Sequence, residues 1–317
     1  MPDPAEPKDF ILPVVLFLVL FAVILVMPGL GIFVGVLAPS PLIIVYLQRG
    51  NRVGLALLAL VFLSLLALMG PRQAVLFFAE YAVLAIIMAE TIRQRLDFDK
   101  CIFFGALGPA LLSIFFSFVL VSDDGKSVTD VFQEQIETQY QKSMEILKGA
   151  GDAKTDALPP PDEKVFRTFA QAYPALITVG SLITAALNFA LVRFFWIRFY
   201  GPSLFSGRKF SEWILPDQMI WALILSGTAV YLTDAPPGVI GMNVLIVVGM
   251  IYFFQGLAII KHFLEARKVP AFFQVLLLLL IFIQPLLIGL VVGLGVFDLW
   301  VDFRKLKAPP ETPPADP

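Results

Sequence analysis

Residues 271–297 read AFFQVLLLLLIFIQPLLIGLVVGLGVF, without a single charged side chain. A bilayer crossing takes about 20 apolar residues, and a helix that is hydrophobic all round is one surrounded by lipid or by other helices. The same texture recurs outward along the chain. Stretches 174–197, 215–232 and 242–260 precede it, and 10–27, 30–47, 53–70, 74–92 and 102–121 lie before a polar interval. The 317 residues are 58% hydrophobic and 15% charged, against about 45–50% and about 25% for an ordinary soluble domain. The expected fold class is therefore all-α: a polytopic integral membrane helical bundle of about nine transmembrane segments, with residues 1–317 forming one multipass domain. The Pro-rich tail, 306–317, is expected to be disordered.

Composition excludes several functions. Net charge is −2, from 23 Lys and Arg against 25 Asp and Glu, and the basic residues are scattered among loops. No basic face is offered to nucleic acid. One cysteine, Cys101, and one histidine, His262, make neither an internal disulfide nor a Cys/His metal site. No metal and no cofactor is expected. Asp3, Glu6 and Asp9 ahead of the first apolar run, with no small-residue cleavage pattern, argue against a cleaved signal. Gly125-Lys126-Ser127 ends like a phosphate-binding loop, but Leu120 stands where that loop needs glycine. Gly29, Gly31 and Gly35 miss the dinucleotide spacing and read as a close helix contact, a spacing that Gly289 and Gly293 repeat. No Gly-x-Ser, His/Asp or metal-ligand pair lies at membrane depth, so no catalytic residue is expected and the chain does not read as an enzyme.

Orientation follows from Lys and Arg, which are retained in cytoplasmic loops. With the N-terminus inside, Lys8, Arg49, Arg52, Arg93, Arg95, Lys100, Arg193, Arg198, Arg208, Lys209, Lys261, Arg267 and Lys268 face the cytoplasm, and the outer turns keep Arg72. Nine crossings nevertheless put Arg304, Lys305 and Lys307 outside, against the same rule. Gln284 and Pro285 interrupt the last stretch at its centre, and a re-entrant path there returns the tail. Eight to ten crossings are open on this reading. Pro39 and Pro41 likewise interrupt 30–47, as a kink, a surface loop or a break facing a cavity.

Residues 122–168 form the one sizeable hydrophilic insertion, with ten acidic and six basic residues. Val128, Phe132, Ile136, Tyr140 and Met144 recur every four residues, behind Ser127 as a cap and Asp130 three positions on. This predicts an amphipathic helix. Gly149 and Gly151 end it, Pro159-Pro160-Pro161 make a stiff spacer, and Asp162 starts the next helix. The topology places this insertion outside the cytoplasm, its stripe packed against helix ends, laid on the outer membrane surface, covering a cavity mouth or met by a partner.

Ionisable groups at membrane depth carry more weight, since inserting an Asp there costs about 2.5–3.5 kcal/mol. Glu80 is the clear case; it faces a partner, a cavity or a proton. Glu90 lies near a helix end beside Arg93 and reads as an ion pair. Ser181, Thr184 and Asn188 share one helical face, Tyr252 and Gln255 share another, and Gln284 adds a third helix. With Glu80 they line one polar cavity or, equally, form hydrogen bonds between helices. Trp196, Trp213 and Trp300 sit near segment ends as belt residues.

Several strings, in order, carry a resemblance: Ala38-Pro39-Ser40-Pro41-Leu42 with Arg49-Gly50; Phe210-Ser211-Glu212-Trp213 with Leu215-Pro216; Gln255-Gly256-Leu257-Ala258; and Gly295-Val296-Phe297-Asp298-Leu299-Trp300-Val301-Asp302-Phe303-Arg304-Lys305. The chain resembles the YybS-like bacterial membrane proteins, a family labelled domain of unknown function 2232, over nearly its whole length. The resemblance implies a multipass protein of the bacterial cytoplasmic membrane, and it carries over no catalytic residue. The first six helices of that family are remotely similar to the substrate-binding membrane subunits of energy-coupling-factor transporters and to the rod-shape protein MreD. Those transporter subunits present an Ala-xxx-Ala face on their first helix, where this chain has only Ala22.

Two functions follow as expectations. One is a membrane subunit that binds a small solute, of unknown identity, near Glu80, Asn188, Tyr252, Gln255 and Gln284. The other is a non-enzymatic scaffold that organises a cell-envelope complex with membrane partner subunits. Either lives in the lipid bilayer.

Overall fold

The computed structural model describes residues 35–121, 127–149, 162–205, 207–233 and 236–306, all helix, turn or extended loop with no strand among them. The first expected segment, Gly29, Gly31, Pro159–Pro161 and the tail beyond Leu306 lie outside the described residues. The chain divides into two compact units, Met1–Gly207 and Arg208–Pro317.

In the first unit the helices are α1 (Pro39–Arg49), α2 (Asn51–Met69), α3 (Pro71–Phe77), α4 (Val83–Arg93), α5 (Phe98–Val121), α6 (Val128–Gly149), α7 (Glu163–Gln171) and α8 (Tyr173–Tyr200). Proline opens α1 and α3, where the missing N–H is no loss. Gly50 and Gly70 make the tight reversals between them at φ 81° and 91°, a region closed to most side chains. Between α3 and α4 the chain stays helical but widens into one π-helical turn, Phe78–Ala82, which contains Glu80. Such turns recur at functional sites in helices. α1 is buried on nearly all sides from Pro39 to Tyr46, packed against α2, α4 and α8.

The capping expectations hold in detail. Asp130 N donates to Ser127 Oγ at 3.1 Å and Ser127 N to Asp130 Oδ2 at 3.3 Å, a reciprocal cap on α6. Asp162 accepts from Lys164 N at the start of α7. Two residues of the α6 stripe find aromatic partners: Phe132 stacks on Tyr173, at the start of α8, with ring centroids 4.8 Å apart, and Tyr140 meets Phe166, within α7, at 5.6 Å.

In the second unit a 3-10 turn, Phe210–Glu212, leads to α9 (Met219–Leu232), α10 (Pro236–Ala266), α11 (Ala271–Ile283) and α12 (Pro285–Val301). α9 is shorter than the expected stretch 215–232, because Leu215 and Pro216 remain extended. The stretch 271–297 is not one rod: α11 and α12 meet at Gln284 and Pro285 with a bend of 106°.

The core is apolar, but unlike that of a water-soluble protein the outer surface is largely apolar as well. Leu60, Leu68, Phe115, Phe194, Phe272 and Ile283 are exposed, while Ser40, Asn188, Gln255, Asp298 and Arg304 are buried. Apolar side chains pointing outward at this density are solvated by lipid tails. Among the described residues five helices are long and apolar enough to cross a bilayer, and the bent pair brings the number up to six. The protein is a polytopic membrane helical bundle.

Two details depart from expectation. Trp196, four residues from the end of α8, is buried against the protein beside Tyr200, with centroids 4.8 Å apart, rather than turned outward like Trp300. Gly289 and Gly293 face open space, so the close contact falls instead on Gly256 and Gly295. Spacing alone does not say which face of a helix meets a neighbour.

Candidate functional site

Pro39 has no N–H to offer Val36 O, and Ser40 N turns to Leu37 O at 3.1 Å, so the Val36 carbonyl lacks a helical donor. Asn188, fully buried on α8, supplies the replacement. Its Nδ2 donates to Val36 O and to Thr184 O, each at 2.7 Å, and its Oδ1 accepts from Ser40 Oγ at 2.6 Å. Sequence reading placed Asn188 on a polar face; the structure makes it the clamp on the proline break. Nearby, Tyr46 donates its hydroxyl to Glu90 at 2.7 Å, and Arg93 adds the expected helix-end pair at 3.1 Å.

Glu80 emerges from the π-helical turn onto the exposed surface of its unit. The buried Ser113 hydroxyl of α5 interacts with its carboxylate from outside good hydrogen-bond geometry. A carboxylate in this position is costly unless something meets it.

The second unit holds a charged network. α12 ends at Asp302, whose left-handed backbone (φ 43°, ψ 60°) stops the helix, a conformation that short polar side chains tolerate. The reversal brings Phe303 N to Asp298 Oδ1 at 3.0 Å and Arg304 Nη2 to Asp298 Oδ2 at 2.9 Å. Gln255 of α10 donates to the same Oδ2 at 2.8 Å and accepts from Leu215 N at 3.2 Å. Arg304 Nη1 donates to Ser211 O at 3.0 Å, and Ser211 Oγ donates to Glu265 Oε2 at 2.7 Å. The side chains of Arg304 and Asp298 are only 1% and 5% exposed, so the pair is dry. Arg304 Nε is buried without a partner among the described residues.

This network is possible because α10 and α12 touch backbone to backbone. A Cβ on Gly256 would overlap Val291 O, and one on Gly295 would overlap Tyr252 O. Only glycine admits that approach. Beside the crossing is a notch lined by Ile214, Pro216, Asp217, Tyr252, Gln255 and Asp298, with room for a single water.

Of the expected site residues, Tyr252 and Gln255 are brought together at this notch. Asn188 serves the α1 break, Glu80 lies on the surface, and Gln284 is exposed at the bend between α11 and α12. Asp298 and Arg304 escaped sequence reading: they sit at the polar end of an apolar stretch, where a charge is ordinary. The signal was present, since the strings 210–216, 255–258 and 295–305 that carry the resemblance all meet here. No group of three or more metal-ligating side chains occurs among the described residues.

No solved structure matches the chain. The uncharacterized protein YybS of Bacillus subtilis (strain 168) is 20% identical over 300 residues, covering 92% of this chain and 94% of that one. A family model described as predicted membrane protein (DUF2232) matches residues 15–299, a range that takes in the proline break, Asn188, Gln255 and Asp298. With that coverage, the chain belongs to the DUF2232 family of predicted membrane proteins.

Proposed function

We propose that this protein is a non-enzymatic subunit of a membrane-embedded complex in the bacterial cell envelope, working by holding partner membrane proteins. Its N-terminus and cationic loops lie in the cytoplasm and the 122–168 insertion outside, as Lys and Arg placement favours. The observation that carries this reading is the saturation of two of the expected binding amides. Asn188 and Gln255 each use both ends of the amide on the protein's own backbone and side chains. Little remains to recognise a solute. Glu80, by contrast, is exposed on a π-helical turn, and a partner helix offering a donor relieves its cost.

A photocrosslinker at Phe78, exposed and two residues from Glu80, tests this in living cells. The expected result is a discrete protein adduct that Glu80→Leu removes while the chain still inserts. Adducts to lipid alone would overturn the reading. The competing solute-binding function draws on the notch at Tyr252 and Asp217. It predicts that a small molecule raises the melting temperature of the detergent-purified protein by mass action.

A further inference from the structure

We infer that residues 271–301 form a re-entrant hairpin, which enters and leaves the bilayer on one side and returns the C-terminal turn to the membrane face that holds the end of α10. The argument begins with length. α11 has 13 residues and α12 has 17, or about 20 Å and about 25 Å of helix, each short of the ~30 Å hydrocarbon core. Joined end to end they would cross. Instead the chain turns by 106° at Gln284 and Pro285, past the perpendicular.

Contacts along α10 act as a depth gauge. Near its C-terminal end, Lys261 Nζ donates to Gln274 Oε1 at 2.5 Å. Deeper in, Phe253 packs on Ile281 and meets Phe282 with ring centroids 5.5 Å apart. From Lys261 to Phe253 is about 12 Å of helix, so α11 climbs antiparallel to α10 and stops partway. After the bend, α12 crosses α10 at Gly256 and Gly295. The chain beyond it then comes back: Arg304 binds Ser211, and Ser211 binds Glu265, one residue from the end of α10. Entry and exit are thus tied to the same end of one helix.

The hairpin also removes the charge conflict of a nine-crossing path. Arg304 and Lys305 fall on the same face as Arg208, Lys209, Arg267 and Lys268, so one side of the membrane collects the basic residues of this unit. Asp298 and Arg304 are the latch: the ion pair, the left-handed Asp302 and the Ser211 carbonyl fix the returning end.

The test is sidedness. In a chain carrying Cys101→Ala, single cysteines replace the exposed, uncharged Ala266, Leu306 and Pro237, leaving every charge in place. With a membrane-impermeant maleimide on vesicles of known orientation, positions 266 and 306 label from one side and lose label from the other, while 237 does the reverse. Labelling of 306 together with 237 would overturn the hairpin. A second measurement needs no substitution. Trypsin added to oriented vesicles of the unaltered protein should cut after Arg267 or Lys268 and after Lys305 in the same orientation. Cuts in opposite orientations would show α11 and α12 to be a single crossing.

Discussion

In residues 35–207 the proline break of α1 is held by neutral groups, an amide and a hydroxyl. In residues 208–306 the end of α12 is held by a carboxylate and a guanidinium that are both dry. Each cluster satisfies backbone that a regular helix would have satisfied for itself. The difference is in what happens when one member is lost. A neutral clamp leaves an unsatisfied dipole, whereas a buried ion pair leaves a whole charge in low dielectric, a loss of about 3–5 kcal/mol. Asp298→Leu or Arg304→Met alone should therefore give the largest drop in melting temperature in detergent. The double variant Asp298→Leu/Arg304→Met should recover part of it, since no unpaired charge is left, while Gln255 Nε2, Phe303 N and Ser211 O still lose their partners. Single variants no worse than the double would show that the pair is not dry in solution.

Shape is the next discriminator. Gly256→Ala puts a methyl into the Val291 carbonyl, a backbone atom that cannot rotate aside, and overpacking of this kind costs about 1–3 kcal/mol. Gly249→Ala lies on the same helix facing open space, and there the exchange should be neutral or stabilising by up to about 1 kcal/mol. Thermal unfolding of the two variants side by side separates crossing from propensity. Equal behaviour would mean that α10 and α12 do not approach as closely as drawn.

Much of this was legible in the sequence. Apolar length located the helices from Asn51 onward, Ser127 and Asp130 announced their reciprocal cap, and Pro39, Pro41 and Pro285 marked both breaks. These are local properties, written in consecutive residues. What stayed hidden depends on partners distant in sequence. Ser40 and Asn188 are 148 positions apart, and Ser211 and Arg304 are 93 apart. Gly256 and Gly295 carry the crossing, while Gly289 and Gly293, better matched to the familiar small-residue spacing, do not. Glu80 was visible as an anomaly, but the π-helical turn that carries it leaves no compositional trace.

The neutral clamp supplies the two smaller tests. Asn188→Leu deprives both the Val36 carbonyl and the Ser40 hydroxyl of their partner, so the loss should approach the upper range for a membrane hydrogen-bonding residue, about 1.7 kcal/mol. Ser40→Ala removes only one of the bonds to Asn188, and the amide keeps its two carbonyl acceptors. Its cost should be near the membrane average of about 0.6 kcal/mol, a shift of melting temperature just resolvable against the wild-type chain. Because Ser40 touches Asn188 directly, the two substitutions should not add. In the double variant Ser40→Ala/Asn188→Leu the hydroxyl is already gone when the amide is lost, and the total should fall below the sum of the singles. Strict additivity would separate Ser40 from the clamp and leave Asn188 acting on the Val36 carbonyl alone.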